Sequence, residues 1–246
     1  ARPRVMDRLA SEIAEAAPDM SDRLVLGHGS GSFGHPTAVR HPMGEEDWGP
    51  AQRTGVSEIQ AAAGELHRRM LAALRTAGLT PFSVPPSGCA VASGGRITGF
   101  GAEPVVLALE RGLLPVVYGD IVLDVRWGAS VCSTERVFLG LVREMRRSGW
   151  TVRRSLWLGD TEGVYDEGGA VVREIGPGRL GDLSRALGGA AGHDVTGGMS
   201  HRVETALELA GLGIESWIGD GRPAGTLRRL LLGEDVPGTQ VPPAPR

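Results

Sequence analysis

The run Gly27-His28-Gly29-Ser30-Gly31-Ser32-Phe33-Gly34-His35 constrains this chain more than any other segment. It follows Leu24-Val25-Leu26, and together Leu24–His28 reads as a buried strand. Four glycines in nine residues let the backbone come close to a ligand and turn successive N–H groups into one space. A strand that ends in such a turn is how an α/β protein cradles phosphate. His28 and His35 add side-chain donors.

From the residues alone the run has three readings. Gly29, Gly31 and Gly34 satisfy G-x-G-x-x-G, the dinucleotide fingerprint. That reading wants an acidic residue about 20 positions on, at the end of a second strand. The region is instead Gly44-Glu45-Glu46-Asp47-Trp48-Gly49-Pro50, and the next strand pattern comes near residue 80. The second reading is a structural turn, the third a loop for some other phosphate chemistry.

The remaining pattern alternates helices and strands. Val5, Leu9, Ile13 and Ala16 give a helix over residues 3–17, and Val56, Ile59, Ala63, Leu66, Met70 and Leu74 line one face of a long helix capped by Gly78. Between them, residues 36–53 read as a loop rich in Pro, Gly and acid. Thr80–Val84 reads as a strand and Pro85–Gly88 as a turn; Pro104–Arg111 is a helix and Leu114–Tyr118 a strand covered on both faces. Ile121–Arg126 and Ala129–Cys132 form a hairpin, Ser133–Arg147 a helix and Arg153–Leu158 a strand. Gly197-Gly198 opens a helix carrying Met199, Val203, Ala206, Leu207 and Ala210. Ile214–Ile218, Ala224–Leu232 and Gly238–Val241 follow as strand, helix and strand. This order implies an α/β chain with a mainly parallel sheet, divided softly near residue 150.

Composition narrows the chemistry. All 26 basic residues are Arg, with no lysine anywhere. A Walker-type phosphate loop and lysine Schiff-base chemistry are therefore excluded. A formal charge of −3 does not favour nucleic acid or an anionic membrane as partner, and no apolar run approaches a membrane span. Cys89 and Cys132 are too few for a metal motif or a disulfide framework, which suits a reduced, cytoplasmic protein.

Four further constellations carry chemistry. Tyr118-Gly119-Asp120 ends an apolar strand, where ligands of open α/β sheets sit; it is either a ligand edge or a plain turn. Ser133 reads as an N-cap, and Glu135 in the first helical turn either complements the helix dipole or holds a catalytic cation. Asp160-Thr161-Glu162-Gly163-Val164-Tyr165 is a second polar turn after a strand. In Asp194-Val195-Thr196-Gly197-Gly198-Met199-Ser200-His201-Arg202 the glycines open a helix whose free N–H groups suit phosphate, and Arg202 lies either toward that anion or on a solvated face.

Taken in order, these segments resemble the amino acid kinase superfamily and, within it, isopentenyl phosphate kinases. Gly31-Ser32-Phe33-Gly34-His35-Pro36 and Asp194–Met199 carry most of the likeness, which runs from about residue 3 to residue 241. Fosfomycin kinases share the run ending in Phe-Gly-His and are a second resemblance. The likeness implies an open αβα sandwich with one continuous, mainly parallel central sheet. Residues 1–150 would bind the phosphoryl acceptor and residues 151–246 would bind ATP, with Mg²⁺. The activity implied is phosphorylation of isopentenyl phosphate to the diphosphate. A phosphonate kinase is the alternative, and an inactive nucleotide-binding regulator the alternative of another class. The partner is then a small phosphorylated molecule, and a homodimer follows by analogy.

The site residues follow the same resemblance. Gly29, Gly31, Gly34, His35, Gly119 and Asp120 would hold the acceptor, His35 clamping its phosphate. Ser30, Asp160, Tyr165, Gly197, Gly198 and Arg202 would line the nucleotide site. His35, Glu135 and Arg202 would act in catalysis, Glu135 as the organising acid and Arg202 on the transferring phosphate. No residue is assigned to bind metal. Arg202 stands where the family has lysine, Ser30 where glycine is usual, and Glu135 and Glu162 where aspartate is usual. The family's opening strand, with Lys-x-Gly-Gly-Ser, would lie before Ala1.

Overall fold

A computed structural model describes residues 3–21, 23–41, 43–44, 48–176 and 198–245, and the backbone alone for Pro3, Ser32, Gly34 and His35. The chain divides into two compact units, one of residues 1–14 and 20–150, the other of 15–19 and 151–246.

The first unit is built on two sheets. Strands β1 (Leu26–His28), β2 (Pro81–Ser83) and β5 (Leu114–Tyr118) pair in parallel in the order β1-β5-β2. β5 has no exposed residue, as its unbroken apolar sequence requires. Strands β3 (Ala90–Ser93), β4 (Arg96–Phe100), β6 (Asp120–Asp124) and β7 (Gly128–Cys132) form the second sheet, β4-β3-β6-β7. Its inner face, with Ala90, Ala92, Val122 and Cys132, packs on α5 (Glu103–Glu110) and α6 (Thr134–Arg147) through Val105, Val137, Leu141 and Met145. Ile121 and Ala129 point the other way and meet Ile59 of α3 (Pro50–Thr76). Apart from α1 (Pro3–Ala16), the other helices are α2 (Gly31–Arg40) and the single turn α4 (Pro86–Cys89).

The second unit pairs β8 (Arg154–Gly159) in parallel with β9 (Glu215–Asp220), and β10 (Thr239–Val241) antiparallel to β9. Helices α7 (Gly198–Gly211) and α8 (Thr226–Leu231) belong to the same unit. Trp217, Leu230 and Val236 form one buried cluster of this unit, the Trp217 indole donating to Val236 O at 3.1 Å.

Two expectations change. Residues 36–53 are not one loop: α2 runs on to Arg40 and α3 starts at Pro50. Pro36 inside α2 and glycine at positions 31 and 34 hide that helix, which is held by packing against α3; Arg69 of α3 lies over the Phe33 ring at 4.8 Å. Next, the hairpin β3–β4, turning at Gly94-Gly95, fills a stretch with no strand expected. Among the described residues the strands hydrogen-bond as three sheets.

Candidate functional site

The glycine run leaves the carboxyl end of β1 and enters α2 with Ser30 at the N-cap. Gly27 is tied to packing: a Cβ there would run into the Phe138 ring and meet Thr134 Cγ2 at 2.9 Å. Gly29 is the reverse. A Cβ there would meet nothing nearer than Gly31 N at 4.0 Å, so the loop is open on that side. Gly31 takes φ +51°, a left-handed value that suits glycine and lets the chain turn at once into the helix. The first turn of α2 brings its N–H groups to the same end as the loop. Gly34 lies in this turn and His35 just beyond it; the described part of each is its backbone.

The carbonyl of His28 accepts from Gly119 N–H at 3.0 Å and from the Thr134 hydroxyl at 2.7 Å. Those two bonds tie three elements together, the ends of β1 and β5 and the start of α6. A Cβ at Gly119 would crowd Thr134 Oγ1 at 3.2 Å. Ser133 is the N-cap of α6 and accepts from Arg136 N–H, so Glu135 stands in the first turn as expected from the dipole argument.

Asp120 is buried, and burial pushes its carboxyl above the usual range. Its oxygens accept from Ser87 N–H at 3.1 Å and from Ile121 N–H at 2.9 Å, and Tyr118 also hydrogen-bonds to it. The carboxylate therefore fastens α4 to the start of β6. Burial and the Asp120 charge together raise the Tyr118 hydroxyl well above its ordinary value.

Two histidines that the resemblance gives no role meet beside this loop. His28 Nδ1 lies 3.0 Å from Gly29 O, and its Nε2 lies 3.0 Å from His67 Nδ1. His67, from the apolar face of α3, places its Nε2 2.8 Å from Ser83 Oγ. The Tyr118 ring stacks on both imidazoles, at 4.2 Å from His67 and 5.6 Å from His28. Burial lowers the basicity of both rings; His67 falls to about 4, with His28 and Arg68 adding to the effect. The signal in the sequence was a polar residue among the buried positions Ala63, Leu66 and Leu74.

In the second unit, the predicted residues gather at the carboxyl ends of the parallel pair β8–β9. Arg202, in the second turn of α7, lays its guanidinium against Gly159, the last residue of β8. Asp160 follows and is exposed. Tyr165 bridges Val171 in the next turn, and its hydroxyl accepts from Glu162 N–H at 3.4 Å. That turn is locked by Thr239, whose hydroxyl accepts from Val164 N–H at 2.8 Å and donates to Val172 O at 2.7 Å. Arg222, after β9, pairs with Asp220 at 2.8 Å; that contact first, and Asp160 and Tyr165 beyond it, raise its pKa. Gly198 begins α7, while Gly197 and the rest of Asp194–Gly197 lie outside the described residues. Among the described residues no group of three His, Cys, Asp or Glu could hold a metal, and no helix is long and apolar enough to cross a membrane.

A sequence profile of the amino acid kinase family matches residues 1–220. The isopentenyl phosphate kinase of Methanothermobacter thermautotrophicus is 35% identical over 96% of this chain and 89% of its own. That of Methanocaldococcus jannaschii is 28% identical over the same shares. A solved isopentenyl phosphate kinase superposes with a TM-score of 0.80 at 29% identity, covering 98% of this chain and 91% of the other. A carbamate kinase from Giardia lamblia bound to AMP-PNP shares the fold at a TM-score of 0.61 and 16% identity, covering 96% of this chain and 88% of the other. The profile spans residues 1–220 and the 35% identical relative covers 96% of the chain, so the chain belongs to the amino acid kinase family.

Proposed function

We propose that this protein transfers the γ-phosphoryl group of ATP to the phosphate of isopentenyl phosphate, giving isopentenyl diphosphate and ADP. What carries the reading is the likeness to isopentenyl phosphate kinases over 96% of the chain, a span that includes segments from both units. An oxygen of the acceptor phosphate bonds to the γ-phosphorus as the bridging P–O bond to ADP breaks. A phosphate monoester is mostly dianionic at neutral pH, so its oxygen attacks without a general base. The protein's task is to align two polyanions and offset their repulsion.

In the first unit, Gly29, Gly31, Gly34 and Gly119 let N–H groups approach the acceptor phosphate, which His35 clamps. Asp120 serves by holding α4 rather than by touching the ligand, in keeping with its internal hydrogen bonds. Glu135 organises the cation that steadies the transfer. In the second unit, Asp160, Tyr165, Gly197 and Gly198 line the nucleotide site, and Arg202 reaches the transferring phosphoryl; Ser30 contributes from the loop. Within residues 1–246, which hold no lysine, arginine and N–H groups contribute positive potential. Mg²⁺ would neutralise charge on the ATP oxygens. Such an ion keeps several waters and leans on phosphates more than on a protein cage. Cys89 and Cys132 are both free thiols, which suits a cytoplasmic setting.

Initial rates with ATP, Mg²⁺ and a panel of isopentenyl phosphate, fosfomycin and carbamate test the assignment. The highest kcat/KM is expected for isopentenyl phosphate. Fosfomycin as the better acceptor would replace the substrate while keeping the kinase.

A further inference from the structure

We infer that His28 is a positioning residue: it holds the Gly29–Ser30 peptide so that its N–H, and not its C=O, faces the transferring phosphate. The inference rests on the kinase reading for its consequence in turnover, and on geometry alone for its mechanism.

The hydrogen-bond roles follow one from another. Gly29 O is a carbonyl and only accepts, so His28 Nδ1, 3.0 Å away, must carry the proton. In a neutral imidazole the other nitrogen is then an acceptor. His28 Nε2 therefore accepts from His67 Nδ1–H across 3.0 Å. His67 Nε2 is left as an acceptor in turn and takes the Ser83 hydroxyl proton at 2.8 Å. The chain Ser83→His67→His28→Gly29 thus runs in one direction, with both rings neutral and both protonated on Nδ1. His67 sits between β2 and the glycine loop to set the tautomer of His28. Stacking of Tyr118 on both rings fixes their planes.

The consequence falls on the loop. A trans peptide points its C=O and N–H in opposite directions. Holding Gly29 O against His28 therefore turns Ser30 N–H away from His28. Without that tether the peptide is free to flip, because glycine lies on both sides of Ser30 and Gly29 has open space where a Cβ would be. A flipped peptide would offer a carbonyl oxygen to an anion. The His28 carbonyl is meanwhile pinned by Gly119 and Thr134, so the ring has a fixed base from which to act.

Two amide variants separate positioning from packing. The Asn amide overlays the Nδ1 edge of a histidine ring and keeps a donor near Gly29 O; the Gln amide overlays the Nε2 edge and does not. Both remove the stacked ring. H28Q is expected to lower kcat about tenfold, the loss of ~1.4 kcal/mol, with each KM changed less than about threefold. H28N is expected to recover to within about threefold of the parent. Equal losses in the two variants, or losses that follow KM and thermal stability alone, would overturn the inference. Imidazole ¹⁵N NMR of the full chain gives an answer that needs no substrate. Nδ1 protonated and Nε2 bare on both His28 and His67 supports the relay; an Nε2–H tautomer on His28 defeats it. If the protein turns over no phosphate acceptor, the kinase reading fails and the NMR result still decides the relay.

Discussion

Arg202 lies so close to Gly159 that a Cβ on the glycine would stand 2.9 Å from the Arg202 Nη1. Gly159 has no left-handed backbone angle, so alanine is tolerated by the main chain. The atom in the way is the tip of a long side chain, which can swing aside. G159A is therefore expected to change Tm by less than about 2 °C while displacing the guanidinium. A misplaced charge of this kind lowers kcat by about tenfold or more. Paired measurements of Tm and kcat check it; an unchanged kcat with a falling Tm would remove Arg202 from the reaction.

Arg202 itself should show charge and shape separately. Removing one preorganised donor to a transition-state charge typically costs about 10²–10³ in kcat. R202A is expected in that range. R202K keeps the charge but trades a planar fork for a compact ammonium. It is expected between R202A and the parent, with KM for isopentenyl phosphate unchanged. Steady-state kinetics varying each substrate in turn provides the comparison.

Asp124 holds two hairpin tips at once. Burial pushes its carboxyl up, but N–H donors from Gly95, Trp127, Arg126 and Gly94 outweigh burial and hold it at about 2. The donor distances are 2.8–3.0 Å. The folded value lies below the ordinary 3.8, so this contribution to stability is present above pH 3.8 and is lost as pH falls toward 2. D124N halves the acceptor capacity and is expected to cost about 2–3 kcal/mol at pH 7. Urea unfolding at pH 7 measures it, and a loss under about 0.5 kcal/mol would contradict the role.

His67 predicts a loss of stability on the same acid side, at milder pH than Asp124. Its folded pKa is about 4 against an ordinary 6.5, so the unfolded chain binds the proton more readily. The stability it brings is complete above pH 6.5 and declines as pH falls toward 4, by up to about 1.4 kcal/mol per pH unit. H67F is expected to flatten that slope between pH 6.5 and 4. Denaturant midpoints across the range test this; an unaltered slope would assign it to other groups.

Much of this was legible in the residues, for identifiable reasons. The buried face of α3 followed from period 3.6, since Ile59, Ala63, Leu66 and Leu74 all lie in the core. Leu114–Tyr118 was a buried strand because nothing in it wants water. Gly78 ends α3 at φ +86°, the conformation a glycine C-cap supplies. By contrast α2 has no apolar stripe and contains Pro36, so only its packing on α3 makes it a helix. The hairpin β3–β4 is short and its β4 faces water at most positions, which erased the period-2 signal; Gly94-Gly95 was the clue left over. Of the candidate site, the glycine loop, Gly119 and Arg202 stand out from the residues alone. His67 does not, because its partners His28 and Ser83 are 39 and 16 residues away and only the fold brings them together.

The most direct test of the central claim is ³¹P NMR of the purified protein with ATP, Mg²⁺ and isopentenyl phosphate. The account predicts that the monophosphate resonance is replaced by the paired resonances of a diphosphate ester, with one ADP formed for each. ATP consumed only to inorganic phosphate, or no change in either substrate, would contradict it.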